Sequence, residues 1–143
     1  SGSGGGGGGG GLLELEKVYA TEAHQGAVKC AVIDEVNAGL MCTGGADECI
    51  RLFDLKKRKP LGILDEHKDE VTCLALFRRS HLLSGDASGA LCIWKTRDWA
   101  CLHRLRAHKG AVRAVAVHPT GRLALSVGAD GKLVMWDLVK GKA

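Results

Sequence analysis

GADGKLVMWDL, residues 128–138, reads as a short polar turn, a run of apolar residues and a Trp-Asp pair, Trp136 and Asp137. A Trp closing a strand means little if it happens once, so its counterparts upstream decide the reading. ALCIWK ends at Trp94 and Lys95, and ECIRLFD ends at Phe53 and Asp54; the aromatics at 53, 94 and 136 are therefore evenly spaced to within one position. A second marker keeps nearly the same step, because His24 in AHQG, His67 in EHKD and His108 in AHKG each precede their aromatic by a similar interval. Two markers in register over three copies make the chain a repeat protein.

A period in the low forties, with His near the start and Trp-Asp near the end, is the pattern of the WD40 repeat, in which each unit forms a four-stranded propeller blade. The local sequence agrees. VRAVAV (112–117), RLALSV (122–127) and KLVMW (132–136) are short, rich in branched apolar residues and punctuated by HPTG and GADG. That is a β-meander with tight hairpins. No segment carries a helical apolar stripe, and an aromatic content of 4% suits a sheet core of Val, Leu, Ile, Ala and Cys. The expected fold is all-β: three consecutive blades of a larger WD40 β-propeller, one of about seven blades.

The chain divides accordingly into a Gly/Ser-rich flexible lead (1–11), an outer strand (12–23), and repeats at 24–65, 66–106 and 107–143, the last without its fourth strand. The lead, SGSGGGGGGGG, is low-complexity and is left out of fold reasoning. Closed propellers hold about 4 to 8 blades, so three blades read as a piece of a larger ring. The alternative is a chain that closes by oligomerising. LLELEKVYATEA (12–23) reads as a lone outer strand of the kind that completes a last blade, and an unpaired edge favours self-association.

Within each repeat a polar set recurs. Counting back from Asp137, an Asp stands seven residues earlier (Asp130) and a Ser eleven earlier (Ser126). Repeat one matches with Asp47 and Thr43. The sets His24, Thr43, Asp47, Phe53 and His108, Ser126, Asp130, Trp136 look like the hydrogen-bonded tetrad of WD40 blades. Repeat two offers His67, Ser84 and Trp94, with Ser88 where Asp is expected.

Ser, His and Asp together also spell a hydrolase triad, in which an imidazole activates a hydroxyl. A nucleophile needs an exposed site beside an oxyanion hole, whereas these hydroxyls sit mid-strand between apolar neighbours in LALSVGAD and LMCTGGAD. Recurrence in three repeats points the same way, since a catalytic site is needed once. The set is expected to tie strands together, and no catalytic residue is assigned.

Composition narrows the rest. No apolar run approaches the roughly 18 residues of a membrane span, no signal peptide is visible, and no membrane partner is expected. Six Cys (30, 42, 49, 73, 92, 101) form no Cys-x-x-Cys pair and mostly fall in predicted strands. They are expected as free thiols packed like small apolar residues in a reducing compartment, with no metal site and no cofactor.

The wording of repeats two and three is more specific than the WD40 pattern. WACL, RAHKGAV, HPTGRLALSVG and WDLVKG, with GADECIRLFDLKKRKPLG in repeat one, resemble the p21-activated-kinase-interacting WD40 proteins over Ala23 to Lys142. That resemblance implies a non-enzymatic scaffold in the nucleus and nucleolus that helps assemble the large ribosomal subunit, since the yeast relative of these proteins is a large-subunit assembly factor. The implied partners are pre-60S ribosomal proteins and assembly factors, with rRNA backbone contact. It also implies a second role, binding and restraining p21-activated kinase.

Net charge of +4 says little for a chain of 143 residues, but its distribution says more. The loops between strands one and two and between three and four should emerge at one face. They carry Arg78 and Arg79 (FRRSH), Lys56, Lys57, Arg58 and Lys59 (DLKKRKP), Lys95 and Arg97 (KTRDW), and Lys140 and Lys142 (LVKGK). The opposite loops carry TEAHQG, GADE, DEHKDE and SGDAS. Charge runs on exposed turns are ordinary, so the weight rests on the basic face as a whole, which suits phosphate contact through counterion release. The acidic and mixed loops around Asp65 to Glu70 and Asp86 suit a basic partner instead. KKRK also matches a short nuclear-localisation pattern. No aromatic platform for single strands is expected, with only Trp99 left outside the blades.

Overall fold

Alternating apolar residues in short segments joined by tight turns leave the backbone one way to satisfy its amides, by pairing each segment with the next. The computed structural model, which describes residues 13–34, 39–78 and 80–139, has that arrangement. Blade one is an antiparallel sheet in the order β1 (Val28–Ile33), β2 (Leu40–Gly45), β3 (Ile50–Asp54), β4 (Lys59–Leu64). Blade two follows as β5 (Val71–Phe77), β6 (His81–Asp86), β7 (Ala90–Lys95), β8 (Ala100–Arg106). Blade three has three strands among the described residues, β9 (Val112–Val117), β10 (Leu123–Gly128) and β11 (Leu133–Asp137), with β11 at its outer edge.

Each blade buries one face against the next. The back of blade one, Cys42, Ile50, Leu52 and Leu64, packs on the front of blade two, Leu74, Leu82, Cys92 and Trp94. The back of blade two, Leu83, Leu91 and Ile93, packs in turn on Ala124 and Trp136 of blade three. The inner strands are also stitched together. The Cys30 thiol approaches the Val71 carbonyl at 3.8 Å, the Cys73 thiol approaches that of Val112 at 3.9 Å, and the Thr72 hydroxyl donates to the Val112 carbonyl at 2.5 Å. A bulge near the start of every inner strand, at Val28/Cys30, Val71/Cys73 and opposite Val127/Gly128, repeats with the blades.

The stretch expected as an outer strand carries no strand ladder over its described part, 13–23. It lies largely exposed, touching blade one where the Tyr19 hydroxyl donates to the Arg58 carbonyl at 3.3 Å and the Tyr19 ring tilts over Phe53. A strand needs a sheet edge beside it, and no free edge of blade one or two takes this segment. The Gly/Ser-rich lead and Leu12 lie outside the described residues.

Candidate interaction surface

The buried imidazoles set the frame on which the surface loops hang. In blade three the Trp136 indole N–H donates to Ser126 Oγ at 2.8 Å, that hydroxyl is 2.8 Å from His108 Nε2, and His108 Nδ1 is 3.0 Å from Asp130 Oδ1. An ionised carboxylate only accepts, so Nδ1 carries the proton and Nε2 accepts from the hydroxyl. Asp130 also accepts the amides of Lys109 and Lys132, both at 3.1 Å, which fixes the turn and the segment before β9. Blade one repeats the scheme: His24 bridges Thr43 at 2.7 Å and Asp47 at 2.8 Å. Asp47 further accepts from the Gln25 and Cys49 amides and pairs with Arg51 at 3.2 Å. Phe53 brings no donor to Thr43, so the chain of bonds is one member short.

Blade two supplies the residue that spacing missed. Asp86, not position 88, holds His67: Asp86 Oδ2 lies 2.7 Å from Nδ1, with Ser84 Oγ 2.6 Å from Nε2 and the Trp94 indole donating to Ser84 at 2.9 Å. The other carboxylate oxygen accepts the amides of Ser88 and Ala90 and the Ser88 hydroxyl at 2.6 Å. Position 86 corresponds to Gly45 and Gly128, two residues after the hydroxyl. Those glycines lie so close to the imidazole that an added Cβ would stand 2.7 Å or 2.5 Å from its ring. An aspartate there reaches the imidazole directly, and a Ser then fills the turn position that Asp47 and Asp130 hold. The sequence signal was SGDAS itself, an Asp two residues from its expected place. Asp86 is fully buried, so the expectation that it grips a partner from an acidic loop is corrected.

Burial pushes the His67 imidazole below its ordinary 6.5, against the pull of Asp86. Burial alone would raise the carboxyls, but hydrogen bonds from the His side chains, the turn amides and, at Asp86, first of all the Ser88 hydroxyl outweigh it. They hold Asp47 at about 2 and keep Asp86 and Asp130 low as well. In blade two the pair is therefore a neutral imidazole donating to a carboxylate. Thr43, Ser84 and Ser126 are buried within these bonds, and Thr43 also borders a hollow of about 370 Å³ on the open face of blade one. The cysteines are free thiols, and burial raises Cys30 to about 11 and Cys42 and Cys92 to about 12. Among the described residues no group of three or more His, Cys, Asp or Glu is placed to hold a metal, and no helix is long and apolar enough to cross a membrane.

Backbone bonds between loops show which of them share an end. Leu55 N donates to Gly39 O, Thr96 N to Ser80 O and Leu138 N to Arg122 O, at 2.8, 3.0 and 2.9 Å. The first and third loops of every blade thus lie side by side. At this end Lys56, Lys57, Arg58, Lys59, Arg78 and Arg97 are exposed and Lys95 is half-buried. Arg79, Lys140 and Lys142 lie outside the described residues. Asp54 shapes the richest loop by accepting the Lys56 and Lys57 amides, both at 2.9 Å. Arg58 then turns into left-handed backbone, with its guanidinium 5.4 Å from the Tyr19 ring. Arg78 lies over Phe77 at 5.0 Å and reaches the Pro119 carbonyl of blade three. Trp99 packs half-buried against the core between blades one and two.

The opposite end is tied by Ala46 N to Ala27 O, Ala87 N to Glu70 O and Ala129 N to Ala111 O. It presents Glu48, Asp65 and Glu66 among Lys68, Lys109 and Lys132, a mixed surface rather than an acidic one.

Three stacked antiparallel blades with these buried imidazoles invite comparison with known repeats. The model of the WD domain, G-beta repeat matches residues 58–95 and 99–137, more than half of the chain. The chain belongs to the WD40 family. Among relatives of this WD40 chain, p21-activated protein kinase-interacting protein 1-like from Gallus gallus is 44% identical over 108 residues, covering 76% of this chain and 29% of that protein. Protein MAK11 from Saccharomyces cerevisiae is 32% identical over 126 residues, covering 77% and 30%. The chain thus spans about a third of the length of these curated relatives. The crystal structure of the RRP9 WD40 repeats superimposes with a TM-score of 0.79 over 85% of this chain and 38% of that one, at 20% identity, a likeness of fold.

Proposed function

We propose that this WD40 chain is a non-enzymatic scaffold in nucleolar assembly of the large ribosomal subunit, holding ribosomal proteins and assembly factors and touching the rRNA backbone through its basic end. As a WD40 protein it is an interaction scaffold. The observation that carries the finer reading is the gathering of Lys56, Lys57, Arg58, Lys59, Arg78 and Arg97, all exposed, at the end where first and third loops meet. The ion pairs among the described residues involve other cations, such as Lys29 with Glu70 and Arg51 with Asp47. The family resemblance of HPTGRLALSVG and WDLVKG supports the assembly role. A surface of this kind gains affinity by releasing phosphate counterions, and six phosphate contacts weaken on the order of a thousandfold between 50 and 200 mM salt.

The test is affinity purification of the tagged protein from nuclear extract at moderate and high salt. Large-subunit proteins and precursor RNA at moderate salt, with the RNA lost at high salt, support the role. Partners without RNA at either salt overturn it. A second reading, an interaction hub that binds and restrains p21-activated kinase, is favoured by the name of the chicken relative, which describes that protein as kinase-interacting. Kinase recovered without RNA, and unaffected by reversal of the basic loop, selects that reading.

A further inference from the structure

Blade two carries a tryptophan in a backbone conformation that suits glycine. Trp99 stands fifth after Trp94, as Arg58 stands fifth after Phe53 and Gly141 fifth after Trp136. At this position the chain turns from the third strand toward the fourth through left-handed backbone, with φ of 56° at Arg58 and 59° at Trp99. A bulky side chain stays in that region only where its surroundings hold it. The Trp99 amide donates to the Lys95 carbonyl at 2.7 Å, Asp98 accepts the Ala100 amide at 3.1 Å, and the half-buried indole packs against the core shared by blades one and two. Both of those blades have all four strands. Repeat three uses Gly at the same step, so the turn itself does not require an indole.

Arg78 repeats the anomaly on the neighbouring turn. Its φ is 48°, its guanidinium lies 5.0 Å from the centre of the Phe77 ring, and Nη2 reaches the Pro119 carbonyl at 3.5 Å. With one side laid on a ring, the guanidinium of this exposed residue keeps its other side for a second flat partner. The two turns are joined, because the Thr96 amide donates to the Ser80 carbonyl at 3.0 Å. Among the described residues four non-Gly residues have left-handed backbone, and three of them, Arg58, Arg78 and Trp99, lie at the basic end. Blade two thus holds an indole and a fixed guanidinium plane on joined turns, with Lys95 and Arg97 beside them in the chain. Unpaired bases stack on such surfaces, whereas a duplex keeps its bases paired and offers mainly its backbone.

We propose that blade two reads unpaired RNA at its basic end: one nucleobase stacks on Trp99, a second base of the same strand stacks on the Arg78 guanidinium, and the phosphates lie against Lys95, Arg97 and the cations of loop 56–59. The inference rests on the RNA-facing reading of the basic end and adds base contact to backbone contact. Every base has a π face, so the stack tolerates sequence and selects single strands over duplex. It also gives the expected absence of an aromatic platform a correction, since one indole with one guanidinium plane is enough to hold two bases.

The experiment is fluorescence anisotropy of the purified protein with three short labelled RNA probes at moderate salt: a single strand without self-complementarity, the same strand in a duplex, and an abasic strand that keeps every phosphate. The single strand binds about tenfold tighter than the other two. Trp99→Leu, which keeps apolar packing, loses about that tenfold on the single strand and leaves the duplex unchanged, while Trp99→Phe retains most of it. Arg78→Lys keeps the charge without the plane and weakens the single strand alone, by about threefold. The salt slope stays the same in all of them, because no phosphate contact is removed. Circular dichroism establishes that each variant is folded; should every Trp99 variant unfold, Arg78→Lys and the abasic probe on the parent protein decide. Equal affinity for the single strand and the abasic strand overturns base stacking and leaves the backbone reading standing. So does Trp99→Leu weakening single strand and duplex alike, or neither. Loss of a copurifying protein with Trp99→Leu at unchanged RNA affinity makes the indole a protein anchor and also overturns it. No binding to any of the probes overturns both readings.

Discussion

Blades one and two bond together the same three chemical groups, a hydroxyl, an imidazole and a carboxylate, yet they complete the set differently. In blade two the indole of Trp94 caps Ser84, and Asp86 is sealed inside the sheet with both oxygens engaged. In blade one Phe53 leaves Thr43 without an indole, and Asp47 sits in the turn and shares its charge with Arg51. The imidazole at the centre is constant and the ends vary. What the geometry keeps is an imidazole held between a carboxylate at Nδ1 and a hydroxyl at Nε2. Which residue supplies the acceptor is negotiable if something else fills the vacated place.

The sharpest way to break the comparison is Asp86→Ala. It leaves His67 Nδ1 and the Ser88 and Ala90 amides without their buried acceptor, a loss of about 3 kcal/mol, since truncating one partner of a buried charged set strands the others. A thermal melt should fall by roughly 10 °C. Asp130→Ala, whose carboxylate is nearer solvent, should lower the melting temperature by less. Asp86→Gly with Ser88→Asp rebuilds the pattern of the outer blades and should recover most of what Asp86→Gly alone loses. A double variant no more stable than the single one contradicts the exchange described here. Trp94→Phe makes blade two resemble blade one and should cost about 1 kcal/mol beyond the change in packing, for the hydrogen bond to Ser84.

Protonation has the smallest effect near neutral pH and a definite sign. His67 has its folded pKa below 6.5, so the unfolded chain binds more protons and stability falls as pH drops below about 6.5. Asp47, at about 2, and Asp86 and Asp130, also lowered, contribute stability that is present above the ordinary carboxyl range and lost as pH falls through their folded values. Melting temperature against pH should therefore decline in two stages, the second the steeper. A flat profile from 7 to 5 would contradict a neutral buried His67.

The fold was legible because the repeat is written twice over, in the His step and in the aromatic step. Strand limits at β9 to β11 fall within one residue of those expected from VRAVAV, RLALSV and KLVMW. The polar set of blade two was only half legible. Spacing finds Ser88, but a side chain's reach depends on which strand position faces the imidazole, and one Gly-to-Asp exchange moves the carboxylate across the turn. The segment before blade one was illegible for a different reason. Its alternation, Leu13 and Leu15 against Glu14 and Glu16, suits a strand, yet a strand exists only where an edge receives it. The basic end was legible in charge, while the engagement of Arg58 with Tyr19 and of Arg78 with Phe77 needed coordinates.

The scaffold role is tested most directly by reversing one end of the blade row and not the other. Lys56→Glu, Lys57→Glu, Arg58→Glu and Lys59→Glu together alter exposed side chains, and so do Glu48→Lys and Glu66→Lys at the mixed end. Each set should leave the melting temperature within a few degrees of the parent. Copurification of precursor rRNA and large-subunit proteins is then measured for both. Loss with the first set and retention with the second is the expected result; retention with the first set would contradict an rRNA-facing basic end.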